Sequence, residues 1–186
     1  MPPPAPTPIP KRRAVFLDRD GTLIPDHGYL ATVEGVNLLP GAGEALRRLH
    51  DAGFLLVLVT NQSGIGRGYF SRELLHAQHE RLQELLTPHG VPLAAIDYCP
   101  HLAADACDCR KPQPGMLRRA AAALALDLRH SFMVGDKESD VAAGHAAGCR
   151  AVRIGEPGTA TAAETLAADL AAAAAAILAA AGPDLP

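Results

Sequence analysis

Asp18 and Asp20 stand two residues apart directly after the apolar run Val15-Phe16-Leu17, and in extended backbone side chains two apart point to the same face. Two carboxylates aimed together from a strand end can divide a reaction. Asp18 can attack phosphorus as a nucleophile, while Asp20 can protonate the leaving oxygen if its neighbour and burial raise its pKa. Gly21 and Thr22 then turn the chain. Asp20-Gly21 alone would equally suit the turn of a hairpin, and the motifs further along decide against that. Paired carboxylates repel a phosphate, so the site needs a hard, oxygen-binding cation such as Mg²⁺ and a further carboxylate to hold it. Gly135-Asp136-Lys137-Glu138-Ser139-Asp140 supplies Asp136 as that ligand. Asp140, one helical turn on, reads either as metal support through water or as a first-turn acid favoured by the helix dipole.

Thr60 closes a second apolar run, Leu55 to Val59. Its hydroxyl, with the backbone N–H groups of Asn61 and Gln62, suits phosphate oxygens, and Lys111 offers a neutralising charge. Cys99-Pro100-His101 followed by Cys107-Asp108-Cys109 supplies four soft ligands, enough to close a tetrahedral Zn²⁺. A closed zinc site is structural, and this one would pin its loop and so aim Arg110 and Lys111, which directly follow the last ligand. The Arg110 guanidinium can grip a phosphate through two parallel hydrogen bonds; the plain alternative is a surface pair with Asp108, worth little. Cys149 stands apart and reads as a small buried hydrophobe.

These residues need a scaffold that brings strand ends together. Apolar runs at Ala14 to Asp18, Phe54 to Thr60, Ile96 to Cys99, Ser131 to Val134 and Ala151 to Ile154 alternate with helical periodicity at Gly41 to Ala52, Ser71 to Leu86, Pro114 to Leu126 and Ser139 to Ala147. That alternation predicts an α/β fold, a parallel sheet with helices on both faces. Ligands of such sheets bind beyond the carboxyl ends of the strands, where the polar motifs lie. Residues 1–13 read as a proline-rich, disordered leader, 14–158 as one domain, and 159–186 as an alanine-rich helix laid on its surface with a tail.

Composition bounds the function. With 48% hydrophobic and 20% charged residues among 186, the chain reads as a soluble globular protein. A net charge of -3 provides no basic stripe for nucleic acid. The leader lacks the apolar stretch of a signal peptide, and alanine is too weakly apolar to span a bilayer convincingly. A cytoplasmic monomer acting on a small molecule, away from membranes, is the expectation.

Taken in order, Asp18-x-Asp20, Thr60, Lys111 and Gly135-Asp136-x-x-x-Asp140 resemble the haloacid dehalogenase superfamily of phosphatases over about residues 14 to 155. More narrowly, DRDGT (Asp18 to Thr22), DHGY (Asp26 to Tyr29), TNQSGIGRG (Thr60 to Gly68), CDCRKP (Cys107 to Pro112) and GDK (Gly135 to Lys137) resemble its heptose bisphosphate phosphatase branch, which serves bacterial heptose nucleotide synthesis. The resemblance implies a three-layer, doubly wound, Rossmann-like sheet with a small zinc-binding loop. It implies removal of the 7-phosphate of D-glycero-D-manno-heptose 1,7-bisphosphate through a phospho-aspartate. Asp18 would be the nucleophile and Asp20 the acid and base. Asp18, Asp136 and the Asp20 main-chain carbonyl would hold Mg²⁺; Cys99, His101, Cys107 and Cys109 would hold Zn²⁺. Thr60 and Lys111 would stabilise the transferring phosphoryl group, with substrate contacts from Asp26, His27, Gly28, Tyr29, Thr60, Asn61, Gln62, Ser63, Arg110, Lys111 and Lys137. The His101 to Cys107 interval also resembles histidinol-phosphate phosphatases, and the Asp26 to Tyr29 run favours the sugar. A phosphometabolite-binding module without catalysis would have no need of the paired Asp18 and Asp20.

Overall fold

Ala14, Val15, Phe16 and Leu17 carry no polar side chain, so a strand made of them is stable only with both faces covered. They form β1 (Ala14–Leu17), buried throughout, in a computed structural model that describes residues 12–182. The same logic produces β2 (Leu55–Asn61), β3 (Ala95–Cys99), β4 (Phe132–Gly135) and β5 (Arg150–Ile154). A sixth strand, β6 (Thr165–Ala167), was not expected. The sheet order is β3-β2-β1-β4-β5-β6 and every pairing is parallel.

Alternate residues of the strands feed two cores. Val15, Leu17, Leu56, Leu58 and Val134 pack with α1 (Ala42–Asp51), the end of α2 (Arg72–Leu86) and α5 (Leu170–Ala181). Ala14, Phe16, Val57, Val59 and Met133 pack with α3 (Gly115–Leu124) and α4 (Glu138–Ala147). Three layers result, as the resemblance implied. Ser71 starts α2 by accepting a hydrogen bond from the Leu74 N–H at 3.2 Å, satisfying one of the first-turn donors that a helix leaves open.

The chain end departs from expectation. Leu166 lies in β6, paired beside Arg153 of β5, and Asp169 caps α5 through the Ala172 N–H at 2.8 Å. Leu170, Ala173, Ala174 and Ile177 are buried in the core and α5 packs on α1, so the helix is part of the domain. Alanine is small enough to let helices approach closely, yet too weakly apolar for pattern alone to tell its buried face from its exposed one. Most of the expected leader lies outside the described residues. Arg12 and Arg13, its last two members, belong to the fold: the Arg12 N–H donates to Ala125 O, and Arg13 lies 4.1 Å over the Phe54 ring. Among the described residues no helix is long and apolar enough to cross a membrane. Cys149 is buried in the second core, as expected, and burial pushes its thiol up to about 12.

Ser131, just before β4, is buried, accepts from the Ala14 N–H at 2.9 Å and donates to Asp127 O at 2.6 Å. Ser131→Ala leaves a buried N–H unpaired at the start of the central strand. The expected loss is about 1–3 kcal/mol of unfolding free energy in urea titration, with activity per folded molecule unchanged.

Candidate active site

Because β1 pairs with β2 on one side and β4 on the other, the chain direction of the sheet's build-up reverses at β1, and a crevice opens beyond its carboxyl end. Asp18 sits there, its N–H continuing the ladder to Val134 O at 2.9 Å. Asp136 follows β4, and Asp140 lies in the first turn of α4. Oxygens of Asp18, Asp136 and Asp140 all come within 4.8 Å of one another. Two glycines make room: at Gly21, with φ +77°, and at Gly135 a Cβ would run into the carboxylates of Asp136 and Asp140 respectively. Asp136 Oδ1 is buried with no hydrogen-bond partner among the described residues. An all-oxygen, anionic donor set with an unpaired buried oxygen fits a hard divalent cation.

Lys111 holds this group of acids together. Its buried ammonium lies 2.8 Å from Asp18 Oδ1 and 2.7 Å from Asp140 Oδ1, and donates to Val59 O at 2.9 Å. Burial alone would lower its pKa, but the charges of Asp18 and then Asp140 outweigh that and raise it. With three donors and three acceptors, Lys111 offers its charge rather than a spare N–H. Asp140 is therefore a full member of the site, beyond either role expected of it: Oδ1 meets Lys111, while Oδ2 accepts from the Lys137 N–H at 3.0 Å and caps α4.

The setting of Asp20 also differs from expectation. In place of a neighbouring carboxylate, its own carboxylate faces the Arg19 guanidinium, Nε to Oδ2 and Nη2 to Oδ1 both at 3.1 Å. Gln62 Nε2 joins Asp20 Oδ2 to Thr60 Oγ1, each at 2.9 Å. That leaves the Thr60 hydroxyl proton free to donate. The Gln62 backbone N–H, expected to face phosphate, is instead consumed by Cys99 O at 2.7 Å. The side chain of Asn61 grips the Lys111 backbone from both ends: Nδ2 donates to Lys111 O at 3.1 Å and Oδ1 accepts from the Lys111 N–H at 3.0 Å.

Two cavities meet at Lys111. A small one of about 70 Å³ is lined by Asp18, Asp20, Asp26, Gly28, Thr60, Asn61, Lys137 and Asp140, and also by Ser139, which the sequence did not single out. A larger one of about 450 Å³ is lined by Arg110, Gln113 and the loop that carries Leu102, Ala106, Cys107 and Asp108. Arg110 donates to His101 O at 3.3 Å, whereas Asp108 lies 3.8 Å from Arg119, so the alternative pairing of Arg110 with Asp108 is not seen among the described residues. Lys137 reaches across to Asp26 at 2.9 Å. His27, Tyr29 and Ser63 do not line the small cavity; Tyr29 packs edge-on against exposed Tyr69, ring centroids 4.8 Å apart.

Cys99, His101, Cys107 and Cys109 converge as the spacing predicted, ligand atoms all within 4.8 Å. Cys107 resists the upward push of burial: the Arg110 N–H and the thiols of Cys109 and Cys99 bring it down to about 6. A thiolate already stabilised among two other sulfurs and an imidazole is a soft donor set suited to zinc.

Comparison with known proteins agrees with this geometry. A family profile described as HAD-hydrolase-like matches residues 108–180. A protein of Pasteurella multocida named D-glycero-beta-D-manno-heptose-1,7-bisphosphate 7-phosphatase is 49% identical over 142 residues, covering 73% of this chain and 77% of its own length. The chain belongs to this phosphatase family. Another heptose-1,7-bisphosphate 7-phosphatase, from Thermosynechococcus vestitus, is 44% identical over 154 residues, 77% of this chain and 79% of that protein. Among solved structures, the D,D-heptose 1,7-bisphosphate phosphatase of B. bronchiseptica, complexed with magnesium and phosphate, superposes with a TM-score of 0.82 at 35% identity, covering 90% of this chain and 98% of that one.

Burial raises the Asp136 carboxyl to about 6, helped by Asp18 and Asp140 and opposed by Lys137. In this heptose bisphosphate phosphatase family member a cation held by Asp136 would therefore meet competition from a proton below that pH. Mg²⁺ affinity of the metal-free protein, followed by titration calorimetry, should fall by up to about tenfold per pH unit below about 6 and level off above about 7. An affinity flat from pH 5 to 8 would remove Asp136 from the ligand set.

Proposed function

We propose that the chain hydrolyses the 7-phosphate of D-glycero-D-manno-heptose 1,7-bisphosphate, leaving heptose 1-phosphate, through a phospho-aspartate on Asp18. The observation that carries this reading is the gathering of Asp18, Asp136 and Asp140 within 4.8 Å of one another, with buried Lys111 bridging Asp18 and Asp140, in a chain so similar to named heptose bisphosphate phosphatases. An Asp18 oxygen attacks phosphorus as the bond from phosphorus to the sugar oxygen breaks, and Asp20 gives that oxygen its proton. Asp20 then takes a proton from a water that attacks phosphorus and frees Asp18. Thr60 donates its hydroxyl to the phosphoryl group, and the charge of Lys111 offsets the developing negative charge.

Mg²⁺ would be held by Asp18, Asp136 and the Asp20 main-chain carbonyl, with Asp140 close by; when bound it supplies neutralisation and alignment of the phosphoryl oxygens. Zn²⁺ would be held by Cys99, His101, Cys107 and Cys109, with no position left open for chemistry. Asp26, Gly28, Asn61 and Lys137, which line the small cavity, would meet the sugar, and Arg110, which lines the larger cavity, the phosphate that stays. Residues 14–158 would be the phosphatase domain, and residues 159–181, whose strand and helix complete the sheet and core, support it. We read the protein as a cytoplasmic enzyme: three gathered, unpaired thiols suit a reducing compartment. We also read it as a monomer, and a net charge of -3 gives nucleic acid no footing.

The substrate is tested by kcat/KM on heptose 1,7-bisphosphate beside histidinol phosphate and p-nitrophenyl phosphate, Mg²⁺ present. The bisphosphate should be preferred, and Arg110→Ala should reduce its kcat/KM by roughly 10- to 100-fold while scarcely changing p-nitrophenyl phosphate. Equal losses would assign Arg110 to the transferring group or to the fold and move histidinol phosphate to the front.

The two metals should separate. Elemental analysis of purified protein should find about one zinc per chain. Activity lost to a mild chelator should return with Mg²⁺ alone, and a need for added Zn²⁺ with the fold intact would contradict this division.

A further inference from the structure

Arg19 is the largest of the fully buried side chains, at 1% exposure, and a buried guanidinium must find partners for its donors. Nε and Nη2 go to Asp20, and Nη1 goes to Gln78 Oε1 at 2.8 Å. Gln78, itself 1% exposed on α2, uses its amide N–H groups on Leu30 O at 2.9 Å and Thr32 O at 3.1 Å. The carbonyls it holds lie just past the Asp26 to Tyr29 run. His79, beside Gln78, is buried, and burial first, then the charge of Arg19, lowers it to about 3, so it brings no second charge to the cluster.

The bonding at Asp20 is unequal. A carboxylate oxygen has two lone pairs. Oδ2 accepts from Arg19 Nε and from Gln62 Nε2, which fills both, whereas Oδ1 accepts from Arg19 Nη2 alone. We propose that Arg19, braced by Gln78, is a positioning residue that fixes the Asp20 carboxylate so that Oδ1 carries the transferable proton. This rests on Asp20 being the proton donor of the reaction above. In the first half-reaction the Oδ1–H bond breaks as the sugar oxygen leaves phosphorus and takes the proton; in the second, Oδ1 receives a proton from the attacking water. Gln78 ties this setting to the backbone behind the substrate loop.

The test compares leaving groups. kcat/KM reports steps up to the departure of the leaving group, and p-nitrophenolate departs without needing a proton whereas a sugar alkoxide needs one. Arg19→Lys keeps the charge but cannot bridge both oxygens. It should lower kcat/KM for heptose bisphosphate, or any alkyl phosphate the enzyme turns over, by on the order of 10- to 100-fold. The loss on p-nitrophenyl phosphate should stay under about threefold, which also certifies the fold. Gln78→Met, which cuts the brace and leaves Arg19 in place, should show the same selectivity at roughly 3- to 10-fold. Equal losses on both substrates, or no loss on either, overturn the proposal. Asp20→Asn measured alongside separates the two ideas: if it too fails to discriminate leaving groups, the proton-donor reading of Asp20 falls and takes the proposal with it.

Discussion

One buried ammonium organises the site. Asp18 and Asp140, both almost without solvent contact, could not remain ionised side by side next to Asp136 without a countercharge, since removing ions from water costs several kcal/mol each and their mutual repulsion adds to it. Lys111 answers both from a single nitrogen. Its own position is over-determined: Asn61 clamps its backbone at the end of β2, and Cys109 of the cysteine-rich loop precedes it by two residues. The soft-ligand loop, the sheet register and the start of α4 therefore all act on the same charge.

Much of this was legible in the residues because the clustered polar groups sit where apolar runs stop. Asp18, Thr60 and Asp136 each follow or end a strand of nearly pure Val, Leu, Phe or Met, and such runs need burial whatever surrounds them. The four soft ligands were legible by spacing alone. Arg19 was not, because a charged residue beside a strand usually reads as solvated surface; its burial depends on Gln78, contributed by a distant helix, and no local pattern encodes that. Asp140 was legible as a first-turn acid but not as the partner of Lys111, a pairing across 29 positions of sequence that only the assembled sheet creates. The Gln62 N–H was assigned to phosphate because the register of β3 against β2, which gives it to Cys99, could not be seen beforehand. The alanine-rich end misled for a different reason: a sequence of methyl groups has little contrast between faces.

The central place of β1 has a consequence for how the protein comes into being. Its two flanking strands are far apart in the chain; Ala14 and Ser131, hydrogen-bonded across the gap, are separated by 117 residues. At ribosomal rates of about 5–20 residues per second, a nascent chain waits on the order of ten seconds between making Asp18 and making the strand that completes its surroundings. During that interval one edge of a wholly apolar strand lies open, a natural client for a chaperone. It also means that no partial translation product, however long it lingers on the ribosome, can gather the three carboxylates before β4 and α4 emerge.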